Sequence, residues 1–141
     1  MKIVLDKGAV FPTRAHPWDG GLDLYAPDCG AVYTIAPCGG SAVIDTGVHV
    51  AIPEGCVGFI KAKSGLNVKH GLTCTGVIDA HYTGSIAVKL YNHHSCLRYD
   101  VRPGDKIAQL VILPCVLPPL ELVDSLEETD RGDNGFGSTG R

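Results

Sequence analysis

SAVIDTGVHVAIP, residues 41–53, alternates apolar with small or polar side chains and stops at the turn-forming Pro53-Glu54-Gly55. Alternation with a period near two is typical of a β-strand that is buried on one face only. Four further stretches share this alternation and are bounded by Gly, Pro, Asn or Asp: residues 56–63, 72–78, 85–93 and 106–117. Because valine and isoleucine dominate these stretches, the sequence predicts a protein built mainly from short strands.

A helical pattern occurs only in residues 64–71, SGLNVKHG, which fit about one and a half turns with Gly71 as the stop. Short strands at a spacing of about 8–12 residues predict an all-β sandwich, jelly roll or barrel. From Ser125 the chain becomes acidic and then glycine-rich, so we interpret this end as an extended arm. We expect a single domain without internal repeats.

The composition excludes several classes of partner. The net charge of −3 does not favour nucleic-acid binding, and no stretch approaches the roughly 20 apolar residues of a membrane span. Lys2, Asp6 and Lys7 interrupt any apolar signal-peptide region. We therefore expect a cytoplasmic protein, or a nuclear one in a eukaryotic or viral source, that binds neither nucleic acid nor a membrane.

Six cysteines are spread along the chain without a CxxC pair: Cys29, Cys38, Cys56, Cys74, Cys96 and Cys115. An even number could form three disulfides in a secreted protein. Their dispersal through apolar, strand-like runs instead favours buried free thiols. His81, His93, His94 and Cys96 match no structural zinc spacing, so we expect the histidines at the surface.

The last residues, RGDNGFGSTGR (131–141), suit a phosphorylated ligand. Glycines let backbone N–H groups approach oxygens closely, Ser138 and Thr139 add donors, and an arginine adds a forked charge. Phe136 offers a flat face for a base. On composition alone, the alternative is a frayed, solvated terminus.

Two earlier segments carry further polar candidates. Asp23 lies between two leucines, and on an alternating strand it would point away from them; a surface aspartate is the alternative. In residues 61–72 a strand ends where Ser64-Gly65 opens the short helix. N–H groups at a helix start bind anions, and Lys63 would reinforce them. The alternative is an ordinary serine N-cap.

Two later segments complete the set. Residues 76–92, GVIDAHYTGSIAVKLYN, suggest a hairpin with Asp79 and Tyr82 at its bend. Asp79 could position or deprotonate a water, although aspartate is also a common turn former. In residues 102–112, Gln109 interrupts an apolar strand, so its amide is either satisfied by backbone groups or faces a site.

Taken in order, five segments resemble the motifs of trimeric deoxyuridine triphosphate nucleotidohydrolases (dUTPases): residues 20–27, 63–72, 76–84, 104–112 and 131–140. The resemblance extends from about residue 2 to residue 141. It implies a jelly-roll-like β-barrel domain over 1–126 and a flexible C-terminal arm over 127–141 that closes over the nucleotide. It also implies a homotrimer in which each active site draws on all three subunits.

The activity implied by this resemblance is hydrolysis of dUTP to dUMP and pyrophosphate, by magnesium-assisted attack of water on the α-phosphorus. Such an enzyme limits uracil incorporation into DNA and supplies dUMP for thymidylate synthesis. Asp79 would bind the 3′-hydroxyl and order or deprotonate the water, and Gln109 would lie near the α-phosphate. Asp23 would support the Mg²⁺ region through water or neighbouring side chains, with the metal held mainly by the triphosphate.

The resemblance also implies contacts with each part of the substrate. The uracil edge would meet backbone groups around Gly76, Val77 and Ile78. The deoxyribose would pack against Tyr82, and the phosphates would meet Lys63, Ser64 and Gly65. In the arm, Phe136 would cover the uracil, and the γ-phosphate would be held by Arg131, Gly137, Ser138 and Thr139.

Five positions, in three of the motifs, depart from the family pattern. Lys63 stands where arginine is usual, and a lysine cannot make the same forked contact with phosphate. Ala80 and His81 replace acidic residues, and Asp133-Asn134 stand where Gly or Ser is common. None of these changes removes a primary catalytic group.

Three alternative functions follow from the same residues. A dCTP deaminase would share the fold, but its chemistry needs a glutamate on the strand in 84–92, where no carboxylate occurs and Lys89 stands instead. A nucleotide-sensing regulator would bind dUTP in order to contact another protein. Arg131-Gly132-Asp133 also spells a cell-adhesion tripeptide, which we interpret as coincidence because it lies in the phosphate arm.

Overall fold

The computed structural model describes residues 1–133, which form short antiparallel strands and one helix. The strands are β1 (Ile3–Leu5), β2 (Gly21–Tyr25), β3 (Tyr33–Ile35), β4 (Gly40–Asp45), β5 (Val48–Val50), β6 (Cys56–Lys61), β7 (Leu72–Thr73), β8 (Thr75–Ile78), β9 (Ala87–Asn92), β10 (Tyr99–Val101) and β11 (Lys106–Pro114), and the helix is α1 (Ser64–His70). The all-β class with one short helix is therefore confirmed.

Two sheets carry most of the structure. One has the order β2-β11-β6-β8 and the other the order β4-β9-β7, while β1 pairs with β5 and β3 with β10. A common core of aliphatic side chains joins them, with fully buried members Leu24, Ile44, Ile86, Val88 and Leu110. Within residues 1–133 the pairing gives separate sheets rather than one closed barrel.

The predicted strand over 41–53 is interrupted at Thr46-Gly47. Gly47 has a φ of 65°, and its N–H donates to Asp45 Oδ1 at 3.0 Å. The Thr46 hydroxyl is buried and donates to the Ile86 carbonyl at 2.7 Å. This turn lets the chain leave the β4-β9-β7 sheet and pair β5 with β1, which the alternating pattern alone does not reveal.

The predicted hairpin over 76–92 is wrong. β8 pairs with β6, whereas β9 pairs with β4 and β7, so the intervening residues cross from one sheet to the other. The Ile86 N–H donates to the Val48 carbonyl at 2.9 Å, which holds the end of the crossing segment against β5. A continuous alternating pattern cannot distinguish a hairpin from such a crossover.

The helix and its stop are as predicted, because Gly71 caps α1 with a φ of 65° in the left-handed region. The six cysteines are free, but the prediction that they are buried is wrong for five: only Cys74 is buried. Burial raises the pKa of the Cys74 thiol to about 11. His81 and His93 are exposed as expected, whereas His94 is half-buried.

The predicted strand over 106–117 ends at Pro114, and no helix or strand follows as far as residue 133. This segment exposes large apolar side chains: Val116, Leu117, Leu120, Leu122, Val123 and Leu126. Prolines at 114, 118 and 119 remove backbone donors that a ladder would need. Within residues 1–133 there is no helix with the length and apolar character that crossing a membrane requires.

Candidate functional site

The first half of the candidate site is a row of polar residues across the β2-β11-β6-β8 sheet. Gln109 of β11 lies opposite Asp23 of β2 on one side and opposite Lys61 of β6 on the other. Leu110, the next residue of β11, faces the core instead. Lys63, Ser64 and Gly65 follow the end of β6, where α1 begins. We call these three residues, together with Asp23 and Gln109, the Asp23 end of the sheet.

Asp23 is buried, with 4% of its surface exposed, and is bound by two lysines. Lys63 Nζ donates to Oδ1, and Lys106 Nζ lies 2.7 Å from Oδ2. Burial acts to raise the pKa of Asp23, but its interactions with Lys106 and Lys63 outweigh burial and lower this pKa below its ordinary value. The same contact with Asp23 raises the pKa of Lys106. The surface-aspartate alternative is therefore wrong.

Lys106 was missed by the sequence reasoning. The pairing of β11 with β2 shifts register between Lys106 and Ala108. Such an irregularity turns a strand residue away from the face that simple alternation assigns to it. The signal available in the sequence was only a cation three residues before Gln109.

Gln109 is held by its own sheet. Its Nε2 donates to the Ala62 carbonyl at 3.2 Å. Its side chain also covers Gly21, where an added Cβ would overlap the amide. Gly21 is thus a second residue that the sequence reasoning missed, and its lack of a side chain is what lets Gln109 lie flat against β2.

The start of α1 differs from an ordinary serine cap. Lys63 occupies the N-cap position without a side-chain cap, so the N-cap alternative for Ser64 is wrong. Ser64 is exposed, and its hydroxyl has no partner elsewhere in residues 1–133. A Cβ added to Gly65 would meet nothing within 4 Å. Packing among residues 1–133 therefore explains neither the unpartnered hydroxyl nor the glycine.

The second half of the site is the segment between β8 and β9, residues 79–86, which we call the Tyr82 loop. The Tyr82 N–H donates to the Asp79 carbonyl at 3.1 Å and closes a turn. The Tyr82 hydroxyl donates to the Ser85 carbonyl at 3.0 Å. The ring lies against Gly84, where a Cβ would overlap it. Gly84 is therefore a third residue that the motif reasoning overlooked.

A pocket of about 240 Å³ lies beside this loop, lined by Val77, Ile78, Asp79, Tyr82, Ser85 and Ala87. Val77 is 60% exposed at its edge, while Ile78 is buried. Gly76 is half-buried and lies against Ile60. An apolar wall with one carboxylate and one phenol suits a small, flat, partly polar ligand.

The two halves lie at opposite ends of the sheet within one chain. Gln109 is level with Lys61 of β6, whereas Ile78, next to Asp79, is level with Gly58. Three residues of strand separate these levels by about 10 Å, and Asp79 and Ser64 extend beyond them in opposite directions. The structure thus brings Asp23, Lys63, Ser64, Gly65 and Gln109 together, and it brings Val77, Ile78, Asp79 and Tyr82 together, but it does not join the two groups.

The arm residues are only partly covered by the structure. Arg131 is exposed, and nearby the Gly132 N–H donates to the Thr129 carbonyl at 3.0 Å. Phe136, Gly137, Ser138 and Thr139 lie outside the described residues.

The described part of the chain offers no ready-made cation site. Residues 1–133 contain no group of three or more His, Cys, Asp or Glu side chains that could hold a metal ion. Asp23 has both oxygens next to lysine ammonium groups, so it does not fit a direct ligand. These residues fit a Mg²⁺ ion only if a bound triphosphate supplies most of its ligands.

Comparison of the sequence with known proteins shows which family the chain resembles. Residues 7–140 match the dUTPase family model. The deoxyuridine 5'-triphosphate nucleotidohydrolase of Arabidopsis thaliana is 46% identical over 137 residues, covering 96% of this chain and 80% of that protein.

Solved structures give the same result. The Staphylococcus bacteriophage 80alpha dUTPase with dUPNHPP is 33% identical with a TM-score of 0.88, covering 99% of this chain and 98% of that one. A mutant dUTPase from phage phi11 of S. aureus, in which a structural Mg(II) ion is coordinated, is 30% identical with a TM-score of 0.79. That match covers 90% of this chain and 98% of the phage chain.

Proposed function

Because the chain belongs to the dUTPase family and is a dUTP diphosphatase, we propose that it hydrolyses dUTP by attack of water on the α-phosphorus, giving dUMP and pyrophosphate. The observation that carries this proposal is the pair of half-sites. One is cationic and has a serine hydroxyl without a partner in residues 1–133, and the other is a pocket edged by a carboxylate and a phenol. Phosphoryl transfer needs alignment and charge neutralisation more than covalent help.

In this mechanism Asp79 orders the attacking water and accepts its proton. Asp79 is exposed at the rim of the pocket, and none of its side-chain atoms is bound by residues 1–133. Its backbone carbonyl already serves the turn with Tyr82, which fixes the direction of the residue. Gln109 would contact the α-phosphate from the other half-site. One N–H of its Nε2 is bound to the Ala62 carbonyl, and the second N–H can donate to a phosphate oxygen.

The pocket binds the nucleoside. Backbone groups around Gly76, Val77 and Ile78 contact the polar edge of uracil, and the Tyr82 ring packs on the deoxyribose. The ring is held against Gly84, so it has little freedom to move aside for a 2′-hydroxyl. A site with fixed polar partners can discriminate against a poorly matched substrate by about 10⁴-fold.

The Asp23 end binds the triphosphate. Ser64 and Gly65 supply a hydroxyl and open backbone N–H groups at the helix start, and Lys63 supplies charge. A Mg²⁺ ion would be held there mainly by the triphosphate and would supply further charge neutralisation. Asp23 contributes through water or through its lysines, because its oxygens are already paired.

We infer that another copy of the chain contributes one half-site to each active site, because the two half-sites of one chain lie at opposite ends of its sheet. We therefore include a homotrimer with shared active sites in the proposal. The apolar side chains exposed over residues 116–126 support it, because a run of such residues is typical of a surface that another chain covers. The arm over 127–141 then closes on the nucleotide, with Phe136 over uracil and the γ-phosphate held by Arg131, Gly137, Ser138 and Thr139.

The cellular role follows from the reaction. Removal of dUTP limits uracil incorporation into DNA, and dUMP is the precursor for thymidylate synthesis. The protein would act in the cytoplasm, or in the nucleus of a eukaryotic or virus-infected cell.

Pyrophosphate release from dUTP, dTTP, dCTP and UTP, each with and without Mg²⁺, tests the proposal. We expect rapid release from dUTP alone and a strong dependence on the metal. Comparable specificity constants for dUTP and dCTP would contradict the proposed function.

A further inference from the structure

The Tyr82 loop is fixed to the rest of the subunit by residues that belong to no motif. Its last residue, Ile86, is fully buried and bonds through its backbone to Thr46 and Val48. Two side-chain contacts lie just before it. The Ser85 hydroxyl donates to Asp45 Oδ1, and His49 Nδ1 lies 2.8 Å from the Thr83 carbonyl.

From these contacts we infer that Asp45 and His49 are positioning residues for the Tyr82 loop and thereby for substrate selection, an inference that rests on the proposed function. Neither residue would contact the nucleotide directly. Asp45 acts through Ser85, and His49 acts through Thr83.

Asp45 is linked to Tyr82 through Ser85. The Ser85 carbonyl accepts the Tyr82 hydroxyl at 3.0 Å, while the Ser85 side chain is bound by Asp45. Asp45 is itself fixed by the Gly47 N–H at 3.0 Å, across the turn that separates β4 from β5. The orientation of the Tyr82 ring therefore depends on a chain of three hydrogen bonds that ends in this turn.

The His49 contact holds the middle of the loop. A carbonyl can only accept a hydrogen bond, so Nδ1 must carry the proton that is given to Thr83. Nε2 lies 3.2 Å from Asp6 Oδ2, which orients the ring from the other side. The ring is only 25% exposed, so it is a fixed support rather than a surface side chain.

Loss of these contacts would let Tyr82 and Asp79 shift while the core remains intact. A displacement of about 1 Å at a reacting group can cost roughly 10²-fold in rate. Tyr82 is the group that excludes a 2′-hydroxyl, so the preference for dUTP over UTP reports its position. A purely structural role for Asp45 or His49 would lower stability without changing that preference.

The experiment measures kcat and KM for dUTP and UTP in Ser85→Ala, Asp45→Ala and His49→Ala. We expect the ratio of the two kcat/KM values to fall by about 10-fold in the first two variants and less in the third. Asp45→Asn keeps an acceptor for the Ser85 hydroxyl, and His49→Asn keeps a donor for the Thr83 carbonyl. Both variants should therefore retain most of the wild-type ratio of kcat/KM values. Thermal unfolding of each variant checks that it is folded.

Thr34→Val is the matched control. It removes a hydroxyl that donates to Asp100 Oδ1 at 2.8 Å between β3 and β10, outside both half-sites. Its dUTP/UTP ratio should equal that of the wild type. If the wild type is active and selective but the three alanine variants have the same dUTP/UTP ratio as the control, this inference alone is overturned. A wild type that does not hydrolyse dUTP would overturn the proposed function and this inference with it.

Discussion

The two half-sites are built in different ways. The Asp23 end combines side chains of β2 and β11 with the start of α1, and it is held by charge between residues far apart in sequence, such as Asp23 with Lys63 and Lys106. The Tyr82 loop is a short crossing segment whose shape comes from its own turn and from hydrogen bonds to Asp45 and His49. The Asp23 end is thus fixed by the sheet to which it belongs, whereas the Tyr82 loop is fixed only by individual hydrogen bonds.

A change in pH affects the stability contributions of Asp23 and His49 in opposite directions. The pKa of Asp23 is lowered, so its contribution to stability is present above its unfolded value of 3.8 and is lost as pH falls. The pKa of His49 is raised, first by its bond to Thr83 and then by Asp6. Its contribution is present below its unfolded value of 6.5 and is lost as pH rises through the folded value.

The largest effect is expected from Asp79→Asn, which changes the chemistry of the Tyr82 loop and not its shape. An amide cannot accept the proton of water at neutral pH, so turnover should fall by about 10²–10⁴-fold. Nucleotide binding and thermal unfolding should stay close to the wild type, because only an exposed side chain is changed. The exposed Asp28→Asn serves as control, and equal turnover in the two variants would remove Asp79 from the base role.

Removal of residues 130–141 should have the next largest effect, since it removes the proposed contacts with both the uracil and the γ-phosphate. Loss of these positioning contacts should reduce turnover by roughly 10²-fold. The midpoint of thermal unfolding should barely change, because the core residues of the described part of the chain all precede Pro114. Phe136→Ala should show a smaller loss. An unaltered rate in the truncated protein would favour the frayed-terminus alternative.

Asp23→Asn weakens the other half-site by leaving Lys63 and Lys106 close together without their shared carboxylate. We expect kcat/KM for dUTP to fall by about 10-fold and the unfolding midpoint to fall by about 4 °C at pH 7. The difference in midpoint should shrink below pH 4, where Asp23 of the wild type loses its advantage. A difference that grows in acid would contradict the assigned ion pairs.

The smallest effect concerns His49→Asn and pH. Asp6 and Asp45 act on the imidazole of His49, and both carboxylates favour its charged form, while Lys2 lines the same pocket as His49. The wild type should therefore exceed the variant in unfolding midpoint at pH 5.5, and the difference should decline towards pH 9. Midpoints measured by circular dichroism across this range test the sign, which a constant or rising difference would refute.

Much of this organisation could be predicted from the sequence, because alternation reports burial on each strand separately. The strand class, α1 with its Gly71 stop, and the residues of each motif all come from local patterns. The crossover after β8 could not be predicted, since it depends on which strand pairs with β6. Lys106 was missed because a register shift turns it towards Asp23, and Asp45 was missed because its partner, Ser85, lies on another element.

The most direct test of the account mixes Asp79→Asn and Gln109→Ala, two variants that we expect to be nearly inactive when each is measured alone. Each variant keeps the half-site that the other lacks, and the two halves of one chain lie at opposite ends of its sheet. If active sites form between subunits of a homotrimer, co-refolding equal amounts should restore about one quarter of the wild-type dUTP hydrolysis, from random pairing of intact halves. Activity no greater than that of the two variants measured separately would contradict shared sites.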